Sequence, residues 1–118
     1  MIYEMRVYRT LPGQLPRLLE RFRHYTLAIW ERLGIRPVGF WTTAVGDSVG
    51  TELTYLLEWD SWADREQRWN AFQSDPTWQD VKSDSERPGF LVLNIRSQLL
   101  EPTDFSSIPM RRSDRAGA

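Results

Sequence analysis

YEMRVY, Tyr3 to Tyr8, is the stretch on which the fold of this chain turns. From Ile2 to Arg9 the side chains alternate, with Tyr3, Met5 and Val7 on one face and Ile2, Glu4, Arg6 and Tyr8 on the other. A period of two is that of a β-strand. One of its faces carries an acid and a base two residues apart. Where that face points decides where the domain keeps its charges.

Downstream, Leu11-Pro12-Gly13 reads as a turn. Leu15, Leu18, Leu19, Phe22, Thr26, Ile29 and Leu33 then recur at helical spacing and mark one stripe. Pro16 falls in the first helical turn, where its missing N–H costs little, and Gly34 is placed to end the helix. Residues 35–43 read as a second strand, whose Pro37 suits a sheet edge. Leu53, Tyr55, Leu57 and Trp59 alternate with Thr54, Leu56 and Glu58 in a third strand. Ser61 and Asp64 form a capping-box pattern ahead of a second helix, and Asp75-Pro76 opens a short third one. After Pro88-Gly89, residues 90–100 alternate again, with Leu91, Leu93, Ile95 and Leu99 opposite Val92, Asn94, Arg96 and Gln98.

Composition narrows the function classes. The chain has 118 residues, enough for one domain, and 13% aromatics with 6 Trp, enough for a substantial core. Its 15 basic and 16 acidic residues nearly cancel, which argues against nucleic acid as a partner. The basic cluster Arg111, Arg112 and Arg115 lies in a polar terminal stretch. With 0 Cys and 1 His, thiol chemistry is excluded and a transition-metal site within one chain is not expected. Gly46-Asp47-Ser48-Val49-Gly50 joins two strands rather than opening a helix, so it is no phosphate loop. His24 falls off the apolar stripe, about 200° around the helix from Phe22, and reads as a surface residue. No signal peptide and no membrane-spanning run is legible, so a cytoplasmic protein is expected.

The order strand, helix, strand, strand, helix, strand is the ferredoxin-like βαββαβ pattern, an α+β fold with an antiparallel four-stranded sheet. It places the first strand between the third and fourth, with the helices on one face. If the more apolar face of each strand meets the helices, the uncovered face carries Glu4, Arg6, Tyr8, Glu58 and Arg96, beside Asn94 and Gln98. Glu4, Arg6, Glu58 and Arg96 could then pair across strands. The reverse assignment of the first strand would move Glu4 and Arg6 into the cavity between sheet and helices. A half-apolar open sheet suits a second copy of the chain better than water, so a homodimer with its sheets face to face is expected.

Four stretches carry a resemblance: YEMRVYRTLPGQLPRLLERF, LGIRPVGFWTTAVGD, DSWADREQRWNAFQSDPTWQ and LLEPTDFS. In this order and spacing the chain resembles the NIPSNAP family, within the dimeric α+β barrel superfamily. The resemblance implies a domain over residues 1–106, and the polar stretch 107–118 that follows is expected to be a flexible C-terminal tail. It implies a homodimer that binds a small aromatic or anionic ligand, in a role the family does not fix. Relatives on the same fold include cofactor-independent enzymes, so a monooxygenase, isomerase or cyclase acting on an aromatic or polyketide-like substrate is the alternative. A protein-interaction module is the second alternative. No cofactor, metal, membrane or nucleic acid is expected. The expected binding residues are Glu4, Arg6, Tyr8, Trp41, Tyr55, Glu58, Trp59 and Arg96. The arginines would clamp an anionic group, Glu4 or Glu58 would act as a base, and Tyr8 or Tyr55 would donate to a substrate oxygen.

Overall fold

β1 (Ile2–Thr10) lies inside a 4-stranded antiparallel sheet of order β2-β3-β1-β4, with β2 (Arg36–Thr42), β3 (Glu52–Trp59) and β4 (Val92–Leu100). The computed structural model describes residues 1–109. From residue 110 onward the expected tail, with Arg111, Arg112 and Arg115, lies outside the described residues. Among the described residues no helix is long and apolar enough to cross a membrane.

The first helical stretch is continuous but not uniform. α1 (Leu15–Arg21) passes into a π-helical segment (Phe22–Thr26) and then α2 (Leu27–Leu33). The Leu27 N–H donates to the Phe22 carbonyl, the wider reach of a π-turn. Along the whole stretch Leu15, Leu18, Phe22, Thr26, Ile29 and Trp30 are buried, as is Arg21. Gly34 ends the stretch in the left-handed region, with φ 77°. α3 (Trp62–Gln73) starts at Ser61, whose Oγ accepts the Asp64 N–H at 3.1 Å. The capping box closes one residue early, because the Asp64 carboxylate accepts from the Asp60 N–H rather than that of Ser61. α4 (Pro76–Ser85) starts at Asp75, which accepts the Trp78 N–H and also a two-pronged bond from Arg32.

Gly34 gives a direct test of this layout. A Cβ there would sit 2.0 Å from Nη1 of Arg68, the atom that donates to the Leu33 carbonyl. Gly34→Ala therefore adds left-handed strain and displaces that bond. The expected loss is about 1–2 kcal/mol in urea unfolding. A variant as stable as the parent would contradict the cap.

The helices cover one face of the sheet. Phe22, Ile29, Trp30, Phe72 and Trp78 form a single core with Ile2, Tyr8, Leu53, Tyr55, Leu57 and Trp59. This corrects the expected orientation of β1. Glu4 stands opposite Leu57, Arg6 opposite Tyr55 and Tyr8 opposite Leu53, so the charged face of β1 is the one the helices cover. Tyr3, Met5 and Val7 take the other face. The alternation was read correctly, but apolarity chose the wrong side, because a charge pair that is fully hydrogen-bonded can be buried. On the helix-free face, Ser106 and Ile108 share a cleft with Tyr3, Leu56 and Leu100.

Candidate functional site

Glu4 is wholly buried and collects donors from three directions. Its Oε1 accepts Trp59 Nε1 at 3.1 Å and Arg65 Nε at 2.9 Å. Its Oε2 accepts Arg65 Nη2 at 3.1 Å, Ser97 Oγ at 2.9 Å and Arg6 Nη1 at 3.2 Å. Burial alone pushes the carboxyl up. The hydrogen bonds from Arg65 and Ser97 and the charges of Arg65 and Arg6 outweigh it and hold Glu4 below the ordinary carboxylate range. With its lone pairs engaged, Glu4 is an anchor rather than the base expected from sequence.

Arg6 is the next link. Its Nε donates to the Tyr55 hydroxyl at 2.8 Å and its Nη2 to the Tyr8 hydroxyl at 3.4 Å. Its guanidinium lies 4.7 Å from the centre of the Trp69 ring. Burial works against the cation, but its contacts with Tyr55, Tyr8 and Glu4 more than offset this, so it stays charged. The two phenols are 2.9 Å apart. Tyr55 is completely buried, and burial pushes its phenol well above the ordinary tyrosine range. Its proton has Tyr8 as acceptor, since Arg6 can only donate. Tyr8 thus accepts from both Tyr55 and Arg6, which leaves its own O–H free to donate.

Tyr8 and Arg6 line a cavity of about 380 Å³ between β4 and the helices. Trp69 and Phe72 of α3 and Trp78 of α4 give it aromatic walls. Arg21, Lys82 and Glu86 stand at the α1/α4 side, and Phe90, Val92 and Ile95 close the β4 side. The cavity exists because the helices pack over β1 and β3 and leave β4 largely bare. Leu93, Ile95 and Leu99 of β4 are all exposed.

The expected site residues therefore divide. Glu4, Arg6, Tyr8, Tyr55 and Trp59 come together in one network under the helices. Glu58 lies on the opposite face and pairs with Arg36 at 3.2 Å. Arg96 is also there, opposite Val7 and 3.7 Å from Glu52. The anticipated quartet of Glu4, Arg6, Glu58 and Arg96 is thus split by the sheet itself. Trp41 on the edge strand β2 is 54% exposed and does not reach the cavity. His24 is at the surface as expected, paired with Glu20. Among the described residues no group of His, Asp or Glu is placed to hold a metal ion.

Sequence reasoning missed Arg21, Arg65, Ser97 and Lys82. Arg21 follows Leu18 by three and lies on the apolar stripe, so its position was legible and its charge misled. Arg65 and Trp69 are four apart on α3, a spacing that puts them on one helix face.

The comparisons with known proteins agree with this architecture. The NIPSNAP family model matches residues 3–107. A NIPSNAP family protein of Agrobacterium tumefaciens is 26% identical with a TM-score of 0.79, over 93% of this chain and 98% of that one. A NIPSNAP domain protein of Burkholderia xenovorans is 25% identical with a TM-score of 0.77, over 90% of this chain and 98% of that one. A Pseudomonas aeruginosa protein shares the fold alone, at 12% identity and a TM-score of 0.59, over 86% of this chain and 93% of that one. No curated protein matches. With its strand order, helix layer and nearly full-length family match, the chain belongs to the NIPSNAP family.

Proposed function

We propose that the protein binds a small, flat aromatic molecule in the cavity between β4 and α3/α4, as a homodimer. One observation carries the reading: an aromatic-walled space of about 380 Å³ is lined by a phenol whose proton is free to donate. That volume is in the range of small-molecule sites, and a few fixed polar groups in an apolar pocket are their usual chemistry. Trp69, Phe72 and Trp78 offer ring faces, while Tyr8 and Arg6 offer donors to one ligand oxygen. Dimerisation is supported by the exposed apolar side chains on the helix-free face, among them Val38, Trp41 and Leu100.

A second reading is a cofactor-independent enzyme, a monooxygenase, isomerase or cyclase. It is favoured by the run from Arg6 through Tyr55 to Tyr8, which would polarise the Tyr8 O–H towards an enolate oxygen. Turnover of the bound compound separates the two.

Native mass spectrometry on gently purified protein tests the proposal. A dimer retaining a small molecule is the expected result, and the retained mass identifies the ligand class. A monomer would overturn the dimer. A dimer that retains nothing and takes up no aromatic compound from a mixed library would overturn the binding reading.

A further inference from the structure

Arg21 is buried as deeply as Arg6 but is much less well compensated. It is 5% exposed. Arg6 has a carboxylate and two phenols to donate to. Arg21 Nη1 reaches only the neutral Ser85 hydroxyl at 3.2 Å, and the Glu86 carboxylate stands off at 3.7 Å. Arg21 Nε has no hydrogen-bond partner. The guanidinium lies 5.1 Å from the centre of the Trp78 ring, which tolerates a cation but does not neutralise it. Burial pulls its pKa down, and the Glu86 carboxylate only partly restores it. Lys82 adds a second cation on the same wall. Arg21 and Lys82 against Glu86 leave a positive excess at this side.

A buried cation short of a counter-charge, on the wall of a cavity, calls for an anion. We infer that the ligand is an aromatic carboxylate, whose carboxylate is held between Arg21 and Lys82 while its ring lies against Trp69, Phe72 and Trp78. This rests on the cavity proposed above as the binding site. It adds the charge of the ligand and its direction. The acid end points to α1/α4, and the other end of the ring meets Tyr8 and Arg6.

Calorimetry with two probes of one shape tests it: 2-naphthoate and its neutral analogue 2-naphthalenemethanol. The unmodified protein should bind the acid at least about tenfold tighter than the alcohol, as a charge-assisted contact implies. Arg21→Gln should bring the two within about twofold. Lys82 is exposed, so Lys82→Glu should fold normally, and it should also remove the preference for the acid. Equal binding of the two probes by the unmodified protein would overturn the anion site while leaving the cavity as the binding site. An acid preference that survives in folded Lys82→Glu would overturn it too. Binding of neither probe would overturn the cavity reading itself, and this inference with it.

Discussion

Glu4→Ala should lower the unfolding free energy by about 3–5 kcal/mol, measured by chemical denaturation at neutral pH. The carboxylate is the common acceptor for Arg6, Arg65, Trp59 and Ser97. Removing it leaves the buried Arg6 cation without its counter-charge and the Trp59 N–H without an acceptor. Each is costly in a desolvated setting. Ser97→Ala removes one donor of several and should cost about 1 kcal/mol. The same node predicts the direction of acid sensitivity. The folded state holds Glu4 below its ordinary value of 4.5. Its contribution to stability is therefore complete above about that pH and is lost as pH falls through the lower folded value. Acid unfolding that begins well below neutrality and weakens in Glu4→Gln is the expected pattern. A loss below about 1 kcal/mol in Glu4→Ala would mean that the node does not anchor β1.

The strand order was legible because alternation and helical spacing are strong local signals. The position of β1 between β3 and β4 follows from the element order alone. The face of β1 was not legible. Tyr3, Met5 and Val7 are more apolar than Glu4, Arg6 and Tyr8, and only tertiary partners reverse the choice. Those partners are Arg65, 61 residues away, and Ser97, 93 residues away. No window along the chain contains them. The split of the site follows from the same fact. Glu58 and Arg96 were placed correctly on the helix-free face, and Glu4 and Arg6 were wrongly placed beside them. Arg21 shows the opposite failure. Its stripe position was visible, but an arginine on an apolar stripe reads as a rim residue until something is seen to bury it. Tyr8 and Tyr55 were expected as donors, and the network gives a reason to separate them. Tyr55 spends its proton internally, and Tyr8 keeps its own for the cavity.

Trp30→Ala should also cost about 3–5 kcal/mol in equilibrium unfolding. Trp30 is almost fully buried on α2, and its ring packs against Phe22, Phe40, Tyr55, Trp69 and Phe72. It joins the first helical stretch, the edge strand β2, the central strand β3 and α3. Truncation empties the middle of that cluster, and rings on rigid elements cannot collapse into the space. Trp30→Phe separates packing from polarity. The indole Nε1 of Trp30 is buried without a hydrogen-bond partner, so phenylalanine gives up ring volume while removing an unsatisfied donor. It should cost less than about 2 kcal/mol, well short of the truncation. The truncation also reaches the cavity, because Tyr55 and Trp69 lose the ring that backs them. Tyr55 supports Tyr8, and Trp69 lies under the Arg6 guanidinium. Naphthoate affinity should therefore fall in folded Trp30→Ala and hold in Trp30→Phe. Equal stability of the two variants would mean that the unpaired N–H, rather than ring packing, governs this position.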